Sequence, residues 1–171
     1  MKTPKEIGFK MGWIYEVLVE NAGGHAAPMG VWTDDGVRLK LSVYNTSATC
    51  AKIKKDREFR VFFPKDWFAM CRCLKTKKLG GSDAGGHLDC AVVAKECDEL
   101  RTTFTCEVTG GNAKEVRLLN RAEGLFAEFL IESTKPGNSR ENLRRYCEKI
   151  KKVATESDYE KEAEKIMRGQ P

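Results

Sequence analysis

Apolar and polar residues alternate along most of the chain as far as Thr109, and the spacing then becomes helical. In "GWIYEVLVE" (12–20), Trp13, Tyr15, Val17 and Val19 share one face, and Ile14 and Leu18 lie on the other with Glu16 and Glu20, which predicts a strand. The turn signal "NAGGH" ends it, and "HAAPMGVW" (25–32) returns antiparallel. After the turn "TDDG" (33–36), the segment "GVRLKLSVYN" (36–45) sets Val37, Leu39, Leu41 and Val43 against Arg38, Lys40 and Ser42. "TSATCAKIKKD" predicts a short helix, and "EFRVFF" (58–63) a fourth strand stopped by Pro64. "LGGSDAGGH" (79–87) reads as a glycine-rich loop. "DCAVVAKEC" and "RTTFTCEV" add two strands, with Asp98 and Glu99 in their connection. Short strands at close spacing with one inserted helix point to a β-barrel and away from alternating α/β units.

Beyond "TGGN" the period changes. Asn120 with Glu123 resembles a capping box, and Ala122, Leu125, Phe126, Phe129 and Leu130 follow helical spacing as far as Pro136-Gly137. A second helix opens around Ser139 with Leu143, Tyr146, Ile150 and Val153 on one face. A third, introduced by Ser157 and Glu160, carries Ala163, Ile166 and Met167. The expected organisation is a barrel over residues 1–118 with helices over 119–171 packed on it as one structural unit, of α+β, mainly β class.

One residue disturbs the strand pattern. Pro28 sits inside "HAAPMGVW", and proline supplies no ladder donor, so it belongs at an edge, a bulge or a strand start. Either the segment is a loop, or its backbone is held open for something other than a strand.

Composition narrows the function classes. Of 171 residues, 41% are hydrophobic and 32% charged, as in an ordinary globular protein, and the net charge of +5 suits an anionic ligand. The basic runs "KTKK" (75–78) and "KIKK" (149–152) lack interleaved aromatics, so no nucleic-acid partner is expected. The first twenty residues are broken by charges, so neither a signal peptide nor a membrane span is expected, and a cytoplasmic location follows. Seven cysteines without a secretory signal predict reduced thiols. Cys71, Cys73, His87 and Cys90 could supply a zinc set, but C-x-C spacing fits poorly and residues two apart on a strand point the same way into a core, so no metal is assigned. No P-loop, G-x-G-x-x-G or Ser/His/Asp pattern stands out, and no residue is assigned as an essential acid or base.

"YNTSATCAKIKK" (44–55) carries the clearest chemistry. A strand ends at Tyr44, and Thr46, Ser47 and Thr49 crowd a helix start, where unpaired N–H groups and the helix dipole favour an anion. Lys52 follows one turn later, so the segment could cradle a phosphate monoester. Thr46 or Ser47 could equally be a plain helix cap with the lysines a solvated face, and the residues alone leave both readings open.

In order, "IYEVLVE", "HAAPMGVW", "SVYNTSATCAKIKK", "VFFPKDWF", "DCAVVAKEC" and "NRAEGLFAEFLIEST" resemble the FMN-binding split β-barrels of the flavin reductase-like superfamily. In particular they resemble an archaeal branch known mainly as a domain of unknown function. The resemblance covers most of residues 12 to 134 and implies a homodimer with FMN at the subunit interface. It implies that the backbone of Pro28, Met29, Gly30 and Val31 faces the isoalloxazine ring, with Tyr44 nearby, and that Thr46, Ser47, Thr49 and Lys52 hold the phosphate. Relatives often carry an asparagine where Phe62 stands, and phenylalanine can stack on the ring but cannot bond its polar edge; core packing is the plainer role for Phe62. The implied activity is that of an oxidoreductase moving a hydride from a reduced nicotinamide nucleotide to FMN, with "NAGGH" and "LGGSDAGGH" shaping the substrate side. The alternative is a dimeric module that binds a flavin or another cofactor, such as a deazaflavin, without turnover.

Overall fold

The alternating segments pair into one antiparallel barrel. The structure is a computed structural model and describes residues 2–113, 116–134 and 139–169. Strands β1 (Tyr15–Asn21), β2 (Ala26–Trp32), β3 (Leu39–Tyr44), β4 (Glu58–Pro64), β5 (Ala84–Cys97) and β6 (Arg101–Asn112) run in the order β2-β3-β6-β5-β4-β1, and β1 pairs again with β2 to close the ring. A two-residue β7 (Leu119–Asn120) lies outside the ring beside β1. This is a split barrel, mainly β, with C-terminal helices. The chain divides into two compact units, Met1–Met11 with Tyr15–Leu119 and Gly12–Ile14 with Asn120–Pro171.

Period-two patterning explains the barrel core. Val17, Val19, Val31, Leu39, Leu41, Val61 and Phe104 are all fully buried, each worth about 1.5–3 kcal/mol of burial. Val37, expected on the buried face of the third strand, instead precedes β3 and is 56% exposed, because the turn held by Asp35 extends to Arg38. Leu18 breaks the polar face of β1 for a reason: with Ala26 it is covered by Met70 and Cys73 of α2 (Trp67–Thr76).

Helix α2 is absent from the sequence expectation. Asp66 caps it by accepting the Ala69 N–H (2.8 Å), and Lys77 closes it in a left-handed conformation (φ 57°) with its N–H on the Cys73 carbonyl (2.8 Å). Cys71 and Cys73 therefore lie on a helix, not a strand: Cys73 is buried and Cys71 is exposed on another face. The loop expected over 79–87 is also shorter than its glycines imply, since β5 starts at Ala84 and pairs His87 with Phe62. Helix α1 (Ala48–Asp56) forms as expected, with Ser47 Oγ accepting the Cys50 N–H (3.1 Å).

The second unit is built from α3 (Arg121–Thr134), α4 (Arg140–Val153) and α5 (Asp158–Met167). Its core is Ala122, Phe129, Leu143, Ile150, Val153, Ala154 and Ala163. Segment 12–14 joins this core and not a barrel strand: the Ile14 N–H donates to the Val153 carbonyl (2.9 Å), and Trp13 Nε1 to the Thr155 carbonyl (3.2 Å). Asn120 caps α3 through the Ala122 N–H (2.6 Å). Ser157 caps α5 through the Glu160 N–H (3.1 Å), while the Glu160 carboxylate returns to the Glu156 N–H (2.6 Å). Leu130 and Ile166, expected on apolar faces, are partly exposed at 39% and 37%. The expected helix end at Pro136-Gly137 lies outside the described residues.

Gly111 shows where the β5–β6 pairing leaves no room for a side chain. Its φ is +122°, and a Cβ there would meet the His87 carbonyl oxygen and lie 2.7 Å from Leu88 Cα, both backbone atoms. Gly111→Ala is expected to destabilise the barrel by about 2–4 kcal/mol, read as a lower denaturation midpoint in urea; an unchanged midpoint would contradict this pairing.

Candidate functional site

The phase of the β1–β2 ladder decides what β2 offers to its surroundings. The Asn21 N–H donates to the His25 carbonyl (3.2 Å), which makes that pair hydrogen-bonded. Alternation along the antiparallel register then makes Val19–Ala27 and Val17–Met29 bonded pairs, and Glu20–Ala26, Leu18–Pro28 and Glu16–Gly30 non-bonded ones. The backbone groups of Ala26, Pro28 and Gly30 therefore point away from β1. Ala26 bears this out, since its N–H donates to the Lys77 carbonyl (2.9 Å). On that outward side β3 pairs with β2 only at Val31 and Trp32. Pro28 thus withholds a donor that no neighbouring strand would have used, and β3 leaves the edge uncovered from Pro28 to the Gly30 N–H, its pairing starting at Val31–Leu41 with the Gly30 carbonyl on the flank. Val31 is paired on both sides, to Tyr15 and Leu41, and lies beyond this edge.

The N-terminus of α1 stands where that edge begins. Thr49 is buried, and its Oγ1 lies 3.4 Å from Nε2 of His25, the residue just before β2. Thr46 is exposed and Ser47 half-buried, both at the helix entrance. Lys52 reaches back to the β1–β2 turn, where a Cβ on Gly23 would lie 4.0 Å from Nζ. Asn21 organises that turn, with Oδ1 accepting the N–H groups of Gly23 (3.0 Å) and His25 (3.3 Å). Burial, then the ammonium groups of Lys52 and Lys77, hold the His25 pKa below its ordinary 6.5. Hydroxyls, a helix N-terminus, two lysines and a histidine form a donor set suited to a phosphate ester, with a flat edge of backbone beside it.

Thr46, Ser47, Thr49 and Lys52 thus share one end of α1, next to the edge that carries Pro28, Met29 and Gly30. Tyr44 adjoins through its backbone, its carbonyl accepting the Ser47 N–H (3.0 Å), but its ring turns to Arg101, whose Nη2 donates to Oη (2.6 Å) with the guanidinium 4.2 Å over the ring. Phe62 is not brought to the edge. Strand β1 lies between β4 and β2, which places Phe62 about 10 Å away across two strand spacings. It packs with Leu18 and Met70 and against the His87 ring (5.4 Å). Asn21 and Lys77 were missed by sequence reasoning. "NAGGH" signalled only a turn, and "KTKK" only a charged surface.

A cavity of about 540 Å³ opens on the other side of the β1–β2 turn, lined by Glu20, Asn21, Glu58, Arg60, Asp89 and Thr109. Its carboxylates outnumber its one guanidinium, so it is the wrong environment for a phosphate. Among the described residues, no group of three His, Cys, Asp or Glu side chains is placed to hold a metal ion. Cys90 and Cys106 lie inside the barrel, where burial pushes both thiols up, Cys106 to about 12. No described helix is long and apolar enough to cross a membrane.

No family model and no curated protein matches the chain. Among solved structures it is similar to an FMN-bound protein from Methanosarcina mazei assigned to a domain-of-unknown-function family, with 17% identity and a TM-score of 0.55 over 96% of this chain and 98% of that one. It also matches an NADH:FAD oxidoreductase from Streptomyces globisporus (16% identity, TM-score 0.49, 64% and 78% of the two chains). A third match is a flavoredoxin from Methanosarcina acetivorans (18%, 0.44, 60% and 69%). The first likeness is one of fold and runs nearly end to end.

Two outcomes test this geometry. An NMR titration of the His25 imidazole should give a midpoint below 6.5 in the free protein, and Lys77→Gln should raise it, because removing a nearby positive charge favours the protonated ring. In a thiol-labelling time course, exposed Cys71 and Cys97 should react in the native protein, and Cys90 and Cys106 only on unfolding; rapid native labelling of Cys90 would contradict its burial.

Proposed function

We propose that the chain binds FMN, with the phosphate at the N-terminus of α1 and the ring system along the uncovered edge of β2, and that it works as a flavin-dependent oxidoreductase. The observation that carries this is the junction between the two parts: His25 and Thr49 bring the donor set of α1 to the point where the Pro28–Gly30 edge starts. A phosphate ester next to a planar ring needs these two surfaces side by side. The FMN-bound Methanosarcina mazei protein, similar in fold over nearly the whole chain, supports the same ligand.

The residues present fit the group. Thr46 and Ser47 offer hydroxyls at the helix entrance, Thr49 a buried one, and Lys52 an ammonium that offsets phosphate charge. The outward Gly30 N–H supplies a donor to a ring edge, and the missing side chain lets that ring come close. When bound, FMN supplies the redox chemistry, receiving a hydride from a reduced nicotinamide nucleotide and yielding electrons to a second acceptor. This chain's own part is to bind, orient and shield, and no side chain here is assigned a proton-transfer step. The homodimer that the resemblance implies would complete the site along the β2 edge.

Thr46→Ala with Ser47→Ala should weaken FMN binding by about tenfold or more through lost charge-assisted hydrogen bonds, read by quenching of flavin fluorescence, with circular dichroism confirming the fold. Unchanged affinity would remove these hydroxyls from the phosphate site. Bound flavin should then be bleached by NADH or NADPH under anaerobic conditions faster than free FMN. Binding without bleaching would leave a flavin-binding module and no turnover.

A further inference from the structure

We propose that His25 couples binding of the flavin phosphate to uptake of one proton: as the imidazolium it donates to Thr49, turns that hydroxyl's proton toward the phosphate, and so favours a phosphate ester over an uncharged flavin. This inference rests on the FMN reading above.

Thr49 is the buried member of the hydroxyl set, and His25 Nε2 is its side-chain neighbour at 3.4 Å. A hydroxyl has one proton to give. If Nε2 is the acceptor, that proton points to the imidazole, and the Thr49 oxygen turns lone pairs toward any anion at the helix start. If Nε2 carries a proton and donates to Oγ1, the Thr49 proton is free to reach the anion. The imidazolium always presents an Nε2–H, whereas the neutral ring presents one in only one of its two tautomers, so protonation fixes the buried hydroxyl in the orientation that attracts phosphate.

The surroundings of His25 make that state depend on the ligand. Two ammonium groups act on the ring, Lys52 from α1 and Lys77 from the end of α2, and both oppose its protonation, as does burial. The backbone N–H of His25 is held by neutral Asn21, and Thr49 is neutral. A phosphate dianion at the start of α1 offsets the two lysines and stabilises the imidazolium. The free protein thus holds His25 neutral at pH 7, and the proton arrives from solvent with the ligand. The sign follows from linkage. The group binds its proton more tightly in the complex, so affinity is greatest at low pH and is lost as pH rises through the midpoint of the bound state. Above pH 7 the ester is already largely dianionic, because its second pKa lies near 6, so that window isolates the histidine. Riboflavin, with the same ring and no phosphate, lacks the charge that recruits the proton.

The experiment titrates FMN and riboflavin into the protein between pH 7 and pH 9, following flavin fluorescence, in the natural chain and in His25→Gln. Calorimetry in buffers of different ionisation enthalpy counts protons taken up by the natural chain. The expected result is a several-fold loss of FMN affinity across this range, at most about tenfold per pH unit, with net proton uptake near pH 7.5. Riboflavin binding should be flat, and His25→Gln should bind FMN with little pH dependence. FMN binding without proton uptake, or a pH dependence that survives in His25→Gln, overturns the role of His25 and leaves the FMN site standing. No FMN binding at any pH overturns the FMN reading and this inference with it. The calorimetric count needs no variant, so a poorly folded His25→Gln would not protect the inference.

Discussion

The ligand-facing side of the barrel depends on the parity of one ladder. Strand β2 is paired with β1 from Ala26 to Val31, and Pro28 falls on a non-bonded position of that pairing. Shifted by one residue, the proline would open a gap inside the ladder, and the neighbouring backbone groups would turn inward. As it stands, the outward groups of Ala26, Pro28 and Gly30 are turned away from β1, to the side on which β3 pairs. One is taken by the end of α2, and the edge at Pro28 stays open until β3 joins at Val31. Closure of the barrel and an open backbone edge therefore coexist in one strand.

Much of this was legible in the chain. The alternation in "LKLSV" and "EFRVFF" specified buried strands because each has one wet face and one dry face, and Ser47 marked the start of α1 by the usual capping chemistry. Pro28 flagged the special strand, although its phase against β1 needed the register. Helix α2 was hidden by its own composition. Trp67, Phe68, Cys71 and Leu74 are exposed, while Ala69, Met70 and Cys73 are buried, so both sides are apolar and no periodicity stands out. The first residues of β5 look like loop in the sequence because Gly85 and Gly86 offer no side chains to alternate. Gly86 is nonetheless in the ladder, where a Cβ would run into the Asn112 carbonyl.

The candidate site was half legible for a related reason. Thr46, Ser47, Thr49 and Lys52 are neighbours in sequence, and helical geometry alone gathers them. His25, Lys77 and Asn21 reach the same place from a turn and from the end of another helix, and no local pattern joins segments so far apart. The Ala26–Lys77 hydrogen bond makes the join, because it pins the residue that closes α2 to the outward side of β2. Phe62 lies two strands from that edge, because β1 is inserted between its strand and β2. Resemblance in linear order gave no sign of that spacing.

The pairing of β3 with β6 has a kinetic consequence. Leu39 opposite Cys106 joins strands further apart in the chain than any other neighbours in the ring, whereas β1–β2 and β5–β6 are hairpins. Bringing β3 to β6 carries the largest loop-closure entropy, so this seam should form late in folding, after the hairpins. Strand β3 leads directly into α1 and meets β2 at only two residues, so most of the pairing that fixes the helix entrance comes with the seam. A ligand held there acts on contacts made after the main barrier. It should therefore lengthen the lifetime of the folded barrel far more than it hastens its formation.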